Sequence, residues 1–256
     1  MTKYTIAPDY TWDIRIHSYE AGPDRRLRLS SQLKLQQEVG ELHFSAGGLG
    51  YDELYRHGIA FVLTRTHSLI SRAPELGEQV HLRTWHRSSR GAQFYRCYQF
   101  LDGEGRVLVD SVTAFALVDV KEHKLLRPTV FQEFGLEEQP ERKGGCPDPA
   151  KWRLPAGLEP AGERPVRWSD IDYNGHLNNT VYADIACDVL PGGMAGRHVT
   201  EFSIAFVHEA VEGEALTLAA GTGYGEDPSC HWVSGDLPDG RRCFEAKLFL
   251  SPDGSV

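Results

Sequence analysis

The sequence predicts an α+β fold in which one unit, a long helix packed on an antiparallel sheet, occurs twice. Each half of the chain carries one helical segment and a series of strand-like segments. Short matching stretches recur in the two halves at nearly the same offset. A segment rich in Pro, Gly and charge separates the halves. We therefore predict an N-terminal unit at residues 1–131, a linker at 132–165 and a C-terminal unit at 166–256.

The N-terminal half begins with a strand and then a helix. Residues 12–17 alternate apolar and polar side chains, which is typical of a strand. Residues 28–45 place apolar side chains at helical spacings, which predicts a helix with a largely apolar face that ends at Gly47 and Gly48. The strand-like segments that follow are separated by turn residues and lie at 60–71, 79–86, 93–101 and 107–120.

The C-terminal half repeats this order. A strand–helix junction at 166–190 comes first, and the strand-like segments after it lie at 201–209, 215–220, 230–234 and 242–250. The repeat itself is carried by residues 77–82 with 213–218 and by 105–111 with 240–246, each pair about 135 positions apart. A single long helix must bury its apolar face, and an antiparallel sheet curled around it achieves this. Two tandem hot-dog units are the predicted architecture.

Composition and charge exclude several classes of protein. A net charge of −9 argues against nucleic acid as the main partner, because phosphate binding requires a basic surface. The five cysteines are odd in number and scattered, which favours reduced thiols over a disulfide framework or a zinc site. No apolar run approaches the roughly 20 residues of a membrane span, and the first eight residues lack the apolar stretch of a signal peptide. We expect a cytoplasmic protein without a metal or cofactor.

The segment 168–179 carries the strongest indication of chemistry. Asp172, Asn174 and His176 occupy alternate positions, so an extended backbone would direct all three side chains the same way. The helix predicted to begin after them would direct its free N–H groups, around Asn178 and Asn179, at the same place. An acid, an amide and an imidazole beside backbone donors can move a proton and stabilise an oxyanion. Any one of these residues alone would more often be a helix cap or a structural group.

Two further predictions for this segment concern Asp170 and a metal site. Asp170 is expected to cap or brace the loop rather than to react. Metal binding by Asp172 and His176 lacks a third ligand at usable spacing, so no metal is predicted.

The chain resembles the acyl-ACP thioesterase family, whose members carry two tandem hot-dog units. Residues 170–179, Asp-Ile-Asp-Tyr-Asn-Gly-His-Leu-Asn-Asn, followed by Tyr182, closely match the family signature. Other matches follow in family order along nearly the whole chain, at Tyr19, Glu20, Gln36, Glu38, His43, Gly48, Gly50, Arg72, Pro74, Gly77, Glu78, Thr84, Trp85 and residues 115–119.

The resemblance implies a catalytic set of Asp172, Asn174, His176 and Glu209. Glu209 lies on a predicted strand, and that strand would have to return it to the site from far along the chain. Plant members often have Cys after this Glu, whereas this chain has Ala210, so a Cys–His mechanism is not available at this position. The resemblance also implies hydrolysis of fatty acyl-ACP to free fatty acid and holo-ACP.

The first half is expected to hold the acyl chain. Its candidate lining residues are apolar side chains of the helix and the strands, namely Leu29, Leu33, Val39, Leu42, Phe61, Leu63, Phe94 and Phe115, most of which would equally serve as plain core. The acidic carrier protein would require a basic docking area, and the candidate residues for it are Arg25, Arg26, Arg28, Arg83, Arg87 and Arg90.

Several alternatives stay open at this point. Asp172 or Glu209 either activates water as a general base or attacks directly to give a mixed anhydride. His176 holds the carboxylate, donates to the oxyanion or protonates the leaving thiolate. The substrate is acyl-ACP or acyl-CoA, and a non-catalytic acyl-binding protein or a hydratase-like relative is the alternative from another class. A homodimer is compatible with the sequence.

Overall fold

The computed structural model describes residues 4–122, 124–223 and 227–252. The chain divides into two compact units, Met1–Pro149 and Ala150–Val256. We call them the N-terminal and the C-terminal unit.

The N-terminal unit is an antiparallel sheet with one long helix. Its helices are α1 (Leu29–Ala46) and α2 (Tyr51–Arg56), and its strands are β1 (Asp9–Arg15), β2 (Ile59–Ile70), β3 (Gln79–Arg90), β4 (Gln93–Leu101), β5 (Val107–Asp119) and β6 (Lys124–Leu126). The strands follow the order β1-β3-β4-β5-β2, and β6 pairs with β5. The predicted helix and the four predicted strands of the meander are confirmed.

The C-terminal unit has the same kind of sheet and a shorter helix. Its strands are β7 (Glu159–Pro165), β8 (Arg197–Phe206), β9 (Ala215–Thr222), β10 (Cys230–Asp236) and β11 (Arg242–Pro252), and its helix is α3 (Val181–Asp188). The strands follow the order β8-β11-β10-β9-β7, and the pairs are antiparallel. The α+β prediction with two repeated units is therefore confirmed.

The predicted linker at 132–165 needs correction at both ends. Phe134, Leu136 and Cys146 are buried in cores of the N-terminal unit. Residues Glu159–Pro165 form β7, which pairs with β9. The sequence did not predict this strand because Pro and Gly are rare in sheet interiors. Both residues are tolerated at an edge or a bulge, and the register of β7 shifts between Pro160 and Gly162.

The buried face of α1 is less apolar than predicted. Gln32 and Gln36 are buried and donate hydrogen bonds to Ser68 Oγ of β2 (3.1 Å) and Ser111 Oγ of β5 (2.9 Å). Ser111 Oγ in turn donates to Ser68 Oγ at 2.7 Å. A polar group is tolerated in a core when it is hydrogen-bonded, so serines on the strands explain these glutamines.

His43, one turn before the end of α1, is also buried. We call Gln32, Gln36 and His43 the polar stripe of α1. Arg96 of β4 donates from Nη1 to His43 Nδ1 (2.9 Å), and His43 Nε2 donates to the Ala7 carbonyl (2.7 Å). Burial and the neighbouring Arg96 charge lower the pKa of His43 to about 4. Burial, again with Arg96, lowers the pKa of His86 to about 3. Both imidazoles are therefore neutral in the folded protein near neutral pH.

These two histidines predict acid destabilisation. Between pH 6.5, the ordinary pKa, and about 4, the unfolded chain binds a proton at His43 that the folded chain does not. Stability is therefore complete above pH 6.5 and falls as pH drops through this window, by about 3 kcal/mol for His43. Urea unfolding at pH 7 and pH 5 measures the change.

A matched pair of variants tests the cause of this pH dependence. We expect His43→Gln to show a smaller loss of unfolding free energy between pH 7 and pH 5 than the wild type. The control His81→Gln replaces an exposed histidine that lies 2.6 Å from Asp13, and this change should not reduce the wild-type loss. Equal losses in all three proteins would contradict the assignment.

Of the helices described, none combines the length and hydrophobicity that a membrane span requires.

Candidate active site

The loop between β7 and α3 is a tight turn rather than the extended segment predicted. Gly175 N–H donates to Asp172 O (3.0 Å), and Asp172 N–H donates to His176 O (2.9 Å). Gly175 has a φ of 83°, a conformation that favours glycine. Alternate positions therefore do not by themselves bring Asp172, Asn174 and His176 together.

Asp172 organises this turn through one of its two carboxylate oxygens. Its Oδ1 accepts hydrogen bonds from the backbone N–H of Asn174 (2.8 Å) and of His176 (3.4 Å). The Oδ2 atom takes no part in these two bonds. Asp172 thus combines a local structural role with a carboxylate oxygen that is available for chemistry.

Asp170 braces the loop, as predicted. It is buried, and its carboxylate accepts hydrogen bonds from Arg164 Nη2 (2.8 Å) and Arg167 N–H (2.9 Å). Burial opposes the charge, but these bonds outweigh it and lower the pKa of Asp170. The sequence did not indicate Arg164 as the partner of Asp170, because Arg164 lies on β7, inside the predicted linker.

The structure brings His176 and Glu209 into contact across distant parts of the chain. His176 Nε2 lies 3.2 Å from Glu209 Oε2. Leu177 N–H donates to Ala210 O at 2.8 Å, which joins the two loops beside this pair. Both side chains reach solvent, with exposures of 38% for His176 and 63% for Glu209. Glu209 lies beyond the end of β8, and not on the strand as predicted.

The amides near the start of α3 have different surroundings. Asn178 N–H donates to Asp170 O (2.9 Å), so this N–H is not open to an oxyanion as predicted. The Asn178 Oδ1 atom accepts from the backbone N–H (2.9 Å) and the hydroxyl (2.8 Å) of Thr180. The side chain of Asn174 is exposed. Asn174 as a catalytic residue and Asn179 as an oxyanion donor stay predictions.

The five cysteines lack the setting of a nucleophile. A nucleophilic thiol requires a lowered pKa. Burial instead raises the pKa to about 11 for Cys97 and Cys243 and to about 12 for Cys146 and Cys187. The pKa of Cys230 is also raised by burial. This agrees with the sequence analysis, which placed no cysteine in the mechanism.

The N-terminal unit contains a second loop with the same backbone hydrogen bonds. Arg25 N–H donates to Gly22 O at 3.0 Å, as Gly175 N–H does to Asp172 O. Arg25 has a φ of 63°, close to that of Gly175. The Glu20 carboxylate accepts a hydrogen bond from the backbone N–H of His17 (2.7 Å), just as Asp170 accepts one from Arg167.

This second loop lacks the reactive side chains. Leu27 N–H donates to Pro74 O at 2.8 Å, as Leu177 N–H does to Ala210 O, so Pro74 corresponds to Ala210. In the same register, the counterparts of Asp172, Asn174, His176 and Glu209 are Gly22, Asp24, Arg26 and Ala73. Of the two loops, the one in the C-terminal unit therefore carries the candidate acid–base groups.

The predicted acyl-lining residues lie in or beside the core of the N-terminal unit. Leu29, Leu33, Val39 and Phe94 are buried, and Leu42, Phe61, Leu63 and Phe115 are partly buried. Phe61 lies with its ring centroid 5.1 Å from that of Phe94 and 5.1 Å from that of Phe131. Phe131 also lines a pocket of about 220 Å³ with His86 and Leu136.

Comparison with known proteins identifies the family. Residues 8–134 match the model of the acyl-ACP thioesterase N-terminal domain, and residues 160–233 match that of the C-terminal domain. The chain is 23% identical over 222 residues to a chloroplastic dodecanoyl-[acyl-carrier-protein] hydrolase of Cinnamomum camphora, covering 78% of this chain and 56% of that protein. The counterpart in Umbellularia californica is also 23% identical, over 220 residues, with the same two coverages. The chain thus spans about half the length of the curated relatives it matches.

Solved structures show the same fold. An acyl-ACP thioesterase from Bacteroides thetaiotaomicron superposes with a TM-score of 0.85 at 17% identity, covering 95% of this chain and 98% of the other. The 12:0-ACP thioesterase of Umbellularia californica gives a TM-score of 0.78 at 20% identity, with coverages of 96% and 98%. The predicted pair of hot-dog units is confirmed. The chain belongs to the acyl-ACP thioesterase family.

Proposed function

We propose that the protein hydrolyses the thioester of fatty acyl-ACP to free fatty acid and holo-ACP. The observation that carries this proposal is the contact of 3.2 Å between His176 Nε2 and Glu209 Oε2, in a chain of this family. A carboxylate paired with an imidazole at a solvent-accessible position can take a proton from water. Curated relatives are named as hydrolases of dodecanoyl-ACP, which supports an acyl-ACP substrate.

In the proposed mechanism, Glu209 accepts a proton from water while His176 holds the carboxylate through Nε2–H. The resulting hydroxide attacks the thioester carbonyl, and the C–S bond breaks to release the carrier thiolate. A general acid is not essential, because a thiol has a pKa of about 8.5 and its thiolate is a fair leaving group near neutral pH. Asp172 contributes its second oxygen and its charge to the same site.

Direct attack by a carboxylate is the competing route, and it predicts different kinetics. A mixed anhydride forms with release of the thiol before water cleaves it. Pre-steady-state measurements would then show a burst of thiol ahead of free fatty acid. With water activated by Glu209, we expect thiol and fatty acid to appear together.

One assay tests the substrate class. Thiol release from matched acyl-ACP and acyl-CoA substrates of several chain lengths should be faster for the acyl-ACP series. Faster turnover of the CoA series would favour an acyl-CoA thioesterase. Binding without thiol release from either series would favour a non-catalytic acyl-binding protein.

The acyl chain is assigned to the N-terminal unit, near Leu29, Leu33, Val39, Leu42, Phe61, Leu63, Phe94 and Phe115. Phe131 packs on the aromatic members of this set, with ring centroids 5.1 Å from Phe61 and 5.4 Å from Phe94, and it borders the pocket of about 220 Å³. A smaller side chain at Phe131 would enlarge the space open to an acyl chain.

We therefore expect Phe131→Leu to shift preference towards longer chains. Each methylene in an apolar pocket changes specificity by about 1–3 kcal/mol, so the ratio of kcat/KM between two acyl-ACP substrates of different length should change at least about tenfold. The matched variant Phe202→Leu removes a buried ring from β8 of the C-terminal unit and should leave the ratio unchanged. An unchanged ratio in Phe131→Leu would remove Phe131 from the acyl site.

The carrier protein is acidic, so the proposed docking area depends on exposed arginines. Arg25, Arg28 and Arg90 are exposed. Arg87 is buried and forms an ion pair with Asp148, so this member of the predicted set does not offer a free charge. Location in the cytoplasm and assembly as a homodimer stay predictions.

A further inference from the structure

The loop that carries Glu209 is bonded to β11 at Cys243 and, through the His208 ring, at the neighbouring Arg242 O (2.6 Å). The backbone N–H groups of Val207 and His208 both donate to Cys243 O, at 2.9 Å and 3.2 Å. The thiol of Cys243 donates back to His208 O at 3.1 Å. Cys243 is 1% exposed, and burial raises its pKa to about 11, so it carries its proton near neutral pH.

Tyr182 extends this connection from β11 to α3. Its phenol oxygen lies 3.3 Å from Cys243 Sγ. Because the Cys243 proton is used on His208, Tyr182 donates its own proton to the sulfur. A chain of hydrogen bonds therefore runs from the Tyr182 hydroxyl through the Cys243 thiol to His208 O.

The tyrosine ring is itself held firmly. Tyr182 is 3% exposed, and its ring centroid lies 5.6 Å from that of Phe206 and 5.1 Å from that of Phe244. The hydrogen-bonded chain meets the backbone at His208, the residue next to Glu209. We propose that Tyr182 and Cys243 are positioning residues that hold Glu209 against His176. This inference rests on the proposed hydrolase function.

The kinetic test uses variants with and without the relevant hydrogen bonds. Tyr182→Phe and Cys243→Ala should lower kcat for acyl-ACP about 10- to 100-fold, the size of effect that a misplaced catalytic group produces, with little change in KM. Cys243→Ser retains a donor and an acceptor and should recover most of the loss. The matched control Cys230→Ala removes the thiol of another buried cysteine, on β10, and should retain kcat.

A double-mutant cycle separates positioning from general destabilisation. If Tyr182 acts through Glu209, adding Tyr182→Phe to Glu209→Gln should cause no further loss of the residual activity. A full additional loss in that background, or equal losses in Cys243→Ala and Cys230→Ala, would overturn the inference.

A second readout does not depend on activity. Amide hydrogen exchange at Val207 and His208, whose N–H groups donate to Cys243 O, should be faster in Tyr182→Phe than in wild type and unchanged in Cys230→Ala. Wild-type protein that hydrolyses no thioester would refute the proposed function, whereas unchanged exchange in Tyr182→Phe would refute the positioning role.

Discussion

Glu209→Gln should lower kcat for acyl-ACP hydrolysis about 10²- to 10⁴-fold, the usual effect of removing a general base. Glutamine has nearly the same shape and can still hydrogen-bond to His176, which lies 3.2 Å from the carboxylate. The variant therefore removes the ability to accept a proton and leaves the surrounding loop in place. Steady-state thiol release under saturating substrate measures the effect.

The control for this variant lies three residues further along the same loop. Glu212 is exposed, and Glu212→Gln makes the same change of charge. We expect it to retain kcat and KM. Wild-type turnover in Glu209→Gln would refute Glu209 as the base and would leave Asp172 as the carboxylate to consider.

Asp172 is expected to show the second large effect, and two variants separate its two roles. Asp172→Ala removes the acceptor of the Asn174 and His176 N–H bonds together with the charge. We expect it to lose stability and about 10²-fold or more in kcat. In Asp172→Asn the amide oxygen can still accept both bonds, so its unfolding free energy should stay within about 1 kcal/mol of wild type.

The rate of Asp172→Asn then reports on the carboxylate charge alone. We expect a loss of kcat comparable to that of Asp172→Ala. Full activity in Asp172→Asn would show that Asp172 only shapes the turn. Asp172→Asn with normal activity and Asp172→Ala without activity would together assign all of the chemistry to the His176–Glu209 pair.

Local sequence patterns predicted most of the fold, because its strands alternate and its turns carry recognisable residues. The segment 93–101 forms β4 over the same residues. Strand β7 was not predicted because its sequence, Glu-Pro-Ala-Gly-Glu-Arg-Pro, shows no alternation of apolar and polar side chains. The helix α2 has only six residues, too few to show a helical period.

The polar stripe of α1 shows why contacts are harder to predict than elements. Gln32 and Gln36 interrupt an apolar pattern, and nothing near them in sequence explains their burial. Their partners Ser68 and Ser111 lie on β2 and β5. A single sequence does not reveal such pairings, which depend on the folded arrangement of the strands.

The sequence indicated candidate residues for the site but not their geometry. The sequence and the family resemblance indicated Asp172, His176 and Glu209, and the last two lie 3.2 Å apart in the structure. The signature did not reveal that Asp172 closes a turn around Gly175. Alternation in sequence suggested an extended segment, and the glycine that permits the turn was the contrary indication.

The two matching loops separate backbone architecture from reactivity within one molecule. The backbone hydrogen bonds that shape the loop at Asp172 recur at Gly22, where Gly22, Arg26 and Ala73 stand in place of Asp172, His176 and Glu209. The backbone shape therefore does not require the imidazole of His176 or the carboxylate of Glu209, and replacing these two residues by their counterparts Arg and Ala would report on chemistry with little effect on folding. The chain thus supplies its own unreactive reference, against which each catalytic position can be compared.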